Sequence, residues 1–202
     1  MLFRSDLDDP ENAPTLTIAN HQIGVGNPTS TKNGSATFVL NNGRITSSSQ
    51  IYIGYYSTAG NLLTFRQNGG EIVCSGSLGC AYMGNSNMDI DTLCEMNGGT
   101  TYFAANFLMG SGKSTTPGTR TCRFVMNGGT MGFGGYAAFV SRTTERSNDA
   151  FVELNGGLLA VTGNVDFVSF AGDCAEARLN TGATWEVGGA LTQSVVEATG
   201  IL

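Results

Sequence analysis

Apolar and polar residues alternate along this chain in short runs, and each run ends at a glycine-containing corner. Phe38-Val39-Leu40, Phe65-Arg66-Gln67, Cys94-Glu95-Met96, Phe124-Val125-Met126, Val152-Glu153-Leu154 and Ala177-Arg178-Leu179 each stand directly before an Asn-x-Gly triplet. In–out–in alternation is strand periodicity, so the first and third residues of each run are expected inside and the middle one in solvent. Stacked in sequence order, the middle column sets Arg66 beside Glu95 and Glu153 beside Arg178. Opposite charges so placed contribute about 0.2–1 kcal/mol per pair.

The corners themselves are Asn41-Asn42-Gly43, Asn68-Gly69-Gly70, Asn97-Gly98-Gly99, Asn127-Gly128-Gly129, Asn155-Gly156-Gly157 and Asn180-Thr181-Gly182, with first residues 27, 29, 30, 28 and 25 apart. Glycine always stands third, which points to a backbone position at φ > 0, where a side chain costs roughly 1–2 kcal/mol. After the corner, a gapless alignment places Ile45, Ile72, Thr101, Met131, Leu159 and Thr184 in one inward column. Further on it places Ile51, Leu78, Phe107, Ala137, Val165 and Ala190 in a second, and Ile53, Cys80, Met109, Phe139, Phe167 and Thr192 in a third. Ile23-Gly24-Val25 reads as a degenerate earlier copy of Ile51-Tyr52-Ile53.

Like residues recurring at a near-constant period imply equivalent strands piled on one another, since one coil cannot bury its inward residues alone. The expected fold is all-β: a right-handed parallel β-helix, or solenoid, of about six to seven coils with three short strands per coil. A propeller blade would need roughly 40 or more residues per unit. Stacked corner asparagines would be placed to hydrogen-bond as an amide ladder. Residues 11–202 are expected to form a single β-helix domain, a fragment of a longer repeat protein. Residues 1–10 read as a non-native or disordered leader, because Leu2-Phe3-Arg4-Ser5 is what a common sequencing-adapter end would encode. Tyr55 to Gly60, Gly110 to Thr121 and Ser141 to Asp149 vary most and are expected to project as loops.

Composition supports many short strands and tight turns. Glycine is 29 of 202 residues and charged residues only 13%, against usual values of about 7% and ~25%. The hydrophobic fraction of 41% is that of a packed protein. A net charge of −6 with scattered basic residues offers no stripe for nucleic acid. No apolar run approaches the ~18 residues of a membrane span.

No cofactor or metal site is expected. Gly110-Ser111-Gly112-Lys113-Ser114-Thr115 imitates the end of a phosphate-binding loop, but Phe107 stands where that motif needs its first glycine, and Pro117 opposes the following helix. Cys74, Cys80, Cys94, Cys122 and Cys174 lack metal-ligand spacing and have only His21 for company. Cys80 and Cys94 read as small core residues. A polysaccharide-cleaving site would need two carboxyls ~5–9.5 Å apart. Asp89 and Asp91 are expected in a loop, while Asp166 points outward with Ala138 and Leu191 level with it. Trp185, Tyr52, Tyr55, Tyr56 and Tyr82 invite sugar stacking, Tyr52 being expected outward; core packing is the competing role. No catalytic constellation emerges.

The unit from Phe151 to Leu158, Phe-Val-Glu-Leu-Asn-Gly-Gly-Leu, resembles the autotransporter-associated β-strand repeats of large bacterial surface proteins. More generally it resembles passenger-type, pectate-lyase-like right-handed β-helices, over about Phe38 to Leu191. The resemblance implies a non-catalytic structural or adhesive segment of a secreted or cell-surface protein, associated with the outer membrane. Its variable loops would meet host or environmental glycans or proteins, and its ends the neighbouring coils of the parent protein. The alternative it leaves open is a fragment of a β-helical polysaccharide lyase, glycoside hydrolase or phage tail-spike.

Overall fold

A computed structural model of the chain describes residues 14–19, 23–25, 35–53, 61–76, 81–83, 90–110, 119–139, 147–167, 174–193 and 199–201. These residues form strands and turns with no helix, wound as a parallel β-solenoid. Three seven-stranded sheets run its length, and every strand pairing is parallel between equivalent elements of successive repeats. The sheet before the corners contains Ala36–Leu40, Asn61–Gln67, Ile90–Met96, Thr119–Met126, Ser147–Leu154, Cys174–Leu179 and Thr199–Ile201. The sheet after them contains Thr15–Ile18, Arg44–Ser47, Glu71–Cys74, Thr100–Phe103, Thr130–Phe133, Gly157–Val161 and Ala183–Val187. The third contains Ile23–Val25, Ile51–Ile53, Ala81–Met83, Phe107–Met109, Ala137–Phe139, Val165–Phe167 and Leu191–Gln193.

The inward columns meet along the axis and form one continuous core. Rings stack from coil to coil: Phe103 on Phe133 at 5.3 Å, Phe107 on Phe133 at 4.9 Å and Phe139 on Phe167 at 5.0 Å between centroids. Such pairs contribute about 0.5–1.5 kcal/mol beyond the area they bury. The largest fully buried side chains, among them Leu63, Ile72, Met96, Phe124, Phe133, Phe139 and Leu154, all lie between residues 61 and 167. This enclosed part amounts to about four turns, somewhat fewer than the six to seven expected. The outermost coils are covered less completely; Leu179 and Leu191 remain 58% and 52% exposed.

Register before the corners follows the expected columns. Phe38, Phe65, Cys94, Phe124, Val152 and Ala177 are level with one another, as are Leu40, Gln67, Met96, Met126, Leu154 and Leu179. Ile23 and Val25 likewise pair with Ile51 and Ile53.

Beyond the corners, three columns depart from the gapless alignment. Trp185, not Thr184, is level with Leu159. The last corner is one residue longer, and it turns Trp185 inward against Phe139 and Phe167. Leu191 and Gln193 consequently replace Ala190 and Thr192 in the third sheet. In the coil of Asn68 the bend carries extra residues, so Ala81 and Met83 pair with Phe107 and Met109 in the places expected for Leu78 and Cys80. The loops are also shorter than expected, because Thr119–Met126 and Ser147–Leu154 begin inside the segments assigned to them. Residues 1–10, His21, Tyr55, Tyr56, Leu78, Cys80 and Asp89 lie outside the described residues.

Candidate functional site: the asparagine corner

Each corner is made where a strand must turn sharply yet keep its neighbours above and below at strand separation. The third residues Gly43, Gly70, Gly99, Gly129, Gly157 and Gly182 have φ of 97°, 73°, 81°, 83°, 81° and 92°. A second constraint acts at the inner corners. A Cβ on Gly129 would lie 2.6 Å from the carbonyl oxygen of Gly99, and one on Gly157 2.4 Å from that of Gly129. Those carbonyls accept from the following coil: Thr130 N–H donates to Gly99 at 3.0 Å and Leu158 N–H to Gly129 at 3.0 Å. At Gly182 a Cβ would meet nothing within 4 Å. There the longer corner swings outward, and Ala183 N–H turns back to Asn180 at 3.2 Å.

The asparagine side chains form an unbroken ladder. Asn68 Nδ2 donates to Asn41 Oδ1 at 2.7 Å, Asn97 to Asn68 at 2.8 Å, Asn127 to Asn97 at 2.7 Å, Asn155 to Asn127 at 2.9 Å and Asn180 to Asn155 at 2.6 Å. From Asn68 to Asn180 each Nδ2 points to the preceding coil, and from Asn41 to Asn155 each Oδ1 points to the next. Asparagine supplies one donor and one acceptor on the same short arm, so identical residues can chain without limit. The six corner asparagines singled out from the sequence therefore stand in one line, whereas of the six glycines Gly182 falls out of register, Ala183 being level with Gly157.

Two sets of side-chain hydrogen bonds were not foreseen, although Gln67 itself was expected in its inward column. Gln67 occupies a core column, fully buried between Leu40 and Met96; its Nε2 donates to Gly70 O at 3.2 Å and Thr100 O at 3.3 Å, and Thr101 Oγ1 donates to its Oε1. At the second bend, Asn106 Oδ1 accepts from Tyr136 N–H at 3.1 Å and Asn164 Oδ1 from Ala190 N–H at 2.9 Å. The pairs Gly134-Gly135 and Gly188-Gly189 were the available signal, since a Cβ on Gly135 or Gly189 would collide with these same amide oxygens.

Of the expected charge pairs, Arg66 bonds Glu95 at 2.5 Å. Arg178 is level with Glu153 but bonds Glu176 on its own strand. Arg123 lies over the Phe151 ring, 5.3 Å from its centroid.

Candidate catalytic and stacking residues are dispersed. Asp166 is level with Ala138 and Thr192, and it accepts from the Thr192 hydroxyl. Asp91 stands in a strand rather than a loop, exposed and level with Leu62 and Thr121. Tyr52, expected outward, is buried and donates to Gln50 Oε1; Trp185 packs inward rather than presenting a face to ligand. Cys74 and Cys94 are buried free thiols, and Cys122 is buried beside them in the core. Burial, with a lesser contribution from the Glu95 charge, pushes the Cys94 thiol up to about 12, and burial alone does so for Cys74. Among the described residues no group of three or more His, Cys, Asp or Glu could hold a metal ion.

Comparison with family models, curated proteins and solved structures finds no match for this chain.

Proposed function

We propose that this chain is a structural, non-catalytic segment of a secreted or cell-surface bacterial protein. It would be a right-handed β-helical rod, similar in kind to autotransporter passengers, that holds its variable loops toward surrounding glycans or proteins. The observation that carries the reading is the continuous amide ladder over parallel sheets. The same hydrogen bonds repeat in coil after coil, so the investment is in length and mechanical continuity rather than in one specialised pocket. A right-handed wind is the hand that twisted parallel strands joined by crossovers overwhelmingly adopt. Fold alone does not fix function, so the surface role rests on the rod and on the likeness of its Asn-Gly-Gly units to those repeats.

The direct test is incubation of the purified chain with acidic and neutral polysaccharides, following reducing ends and unsaturated products. The reading predicts binding without cleavage. Clear depolymerisation would replace it with a polysaccharide lyase, glycoside hydrolase or tail-spike.

A further inference from the structure

We infer that Asn97-Gly98 is a site of spontaneous covalent modification, singled out from three otherwise equivalent Asn-Gly corners by a missing hydrogen bond. Asn-Gly is chemically the most labile asparagine dipeptide, because glycine offers no side chain to hinder attack by its own nitrogen. The chain carries it six times. Asn33-Gly34 lies outside the described residues, and in Asn42-Gly43 the asparagine is the second corner residue, its Oδ1 accepting from Gly43 N–H at 2.8 Å. The four in which the ladder asparagine itself precedes glycine are Asn68-Gly69, Asn97-Gly98, Asn127-Gly128 and Asn155-Gly156. In the reaction the Gly98 nitrogen, having lost its proton to solvent base, bonds to Asn97 Cγ. The Cγ–Nδ2 bond breaks and ammonia leaves, closing a five-membered succinimide. Water then opens either ring C–N bond to give aspartate or isoaspartate, one water consumed for each ammonia released.

The corner restrains both partners in this step. The leaving amide is held in the ladder at every position. The attacking nitrogen is a second point of control, since an N–H committed to a carbonyl is less readily deprotonated and less free to rotate toward Cγ. Gly69 N–H donates to Leu40 O at 3.4 Å, Gly128 N–H to Met96 O at 3.3 Å and Gly156 N–H to Met126 O at 3.2 Å. Gly98 has no such bond; the carbonyl beneath it, Gln67 O, accepts only from Asn97 N–H, at 2.7 Å. This is also the one Asn-Gly corner stacked on an amide side chain rather than on Leu or Met. Gln67 Nε2 reaches into it, 2.8 Å from where a Gly99 Cβ would stand. Asn97 is exposed, so water and base have access.

The consequence follows from the ladder's polarity. Aspartate at this position sets a carboxylate oxygen against Asn68 Oδ1, acceptor against acceptor, where a donor had been. Isoaspartate also inserts a methylene into the main chain of the corner. Either product interrupts the ladder inside the enclosed turns.

The test is a time course on the intact chain at mildly alkaline pH, with peptide mass spectrometry separating asparagine, aspartate and isoaspartate at each corner, and a urea-unfolded sample alongside. Asn97 should convert several-fold faster than Asn68, Asn127 and Asn155 in the folded chain, while all four convert at similar, faster rates when unfolded. Equal rates in the folded chain, or another corner leading, would overturn the assignment. Gln67→Met, placing at that position the residue its column holds at Met96 and Met126, should bring Asn97 down to the rate of its neighbours. An unchanged lead in a variant of native circular dichroism would overturn the cause assigned here.

Discussion

Gly129→Ala and Gly182→Ala make the same chemical change at φ +83° and +92°, yet they should differ in cost because only one of the two is stacked upon. In both, alanine is forced into the left-handed region, at about 1–2 kcal/mol. In both, the unfolded chain loses glycine's freedom, which returns about 0.4–1 kcal/mol and cancels in the comparison. At Gly129 the new methyl would also lie 2.6 Å from Gly99 O and 2.8 Å from Gly98 C, backbone atoms that cannot swing aside. Relieving that overlap means shifting one coil against the next, a strain of about 1–3 kcal/mol by analogy with overpacked cores. Gly182→Ala meets open space and carries only the conformational penalty. Gly129→Ala should therefore be the more destabilising by about 1–3 kcal/mol, and Gly129→Val more so, a β-branched residue at φ > 0 being a genuine outlier. Urea denaturation followed by circular dichroism, with midpoints compared at a common slope, reads the difference. Equal midpoints for the two alanine variants would refute the claim that each inner corner is pressed against its predecessor.

Asn127→Ala removes bonds to both Asn97 and Asn155 and should cost ~1–2 kcal/mol at about 0.5–1 kcal/mol for each exposed bond, while Asn180→Ala, which loses only the bond to Asn155, should cost about half as much; the same urea assay compares them. Gln67→Ala leaves a cavity and the Thr101 hydroxyl without its acceptor and should cost about 2–4 kcal/mol, whereas the double change Gln67→Met with Thr101→Val should stay within about 1.5 kcal/mol of the native chain. Cys94 should resist alkylation in the folded chain and react on unfolding. Its thiol rises from 9.0 to about 12 on folding, so both states hold the proton below pH 9.0 and the stabilisation is complete there. Between pH 9.0 and about 12 only the unfolded chain releases the proton, and stability must fall. Urea midpoints on either side of pH 9.0 should show that fall, and the fall should be smaller in Cys94→Ala.

The corners were legible in the sequence because left-handed backbone and close coil-to-coil approach leave glycine as the only fitting residue, so position and chemistry repeat together. The strands before the corners were legible for the same reason, lying at fixed offset from an anchor. Legibility failed with distance from that anchor. At Leu78 and Cys80 apolar residues happened to fit the inward pattern, although the chain bends later and repeats the apolar–Tyr–apolar triplet of Ile51-Tyr52-Ile53 at Ala81-Tyr82-Met83. At the last corner one added residue moved Trp185 inside, and the shift was invisible because Thr184 suits a strand as well. Gln67 was placed in its core column, but its partner Thr101 lies 34 positions on, and no local pattern links the two. The candidate sugar-stacking residues Tyr52 and Trp185 failed for a related reason: alternation assigns a face, whereas burial also depends on what neighbouring segments cover.

Equivalent residues rise along one axis from coil to coil, and spin-label distances test that directly. Val39, Val125, Glu153 and Arg178 share the outward column before the corners. Cysteine at Val39 paired in turn with cysteine at Val125, Glu153 and Arg178 spans three, four and five strand steps, or about 14, 19 and 24 Å at ~4.8 Å per step. Pulsed electron–electron resonance should return distances growing by about one strand spacing per coil, whereas distances that fail to increase with the number of intervening coils would contradict the stacked solenoid.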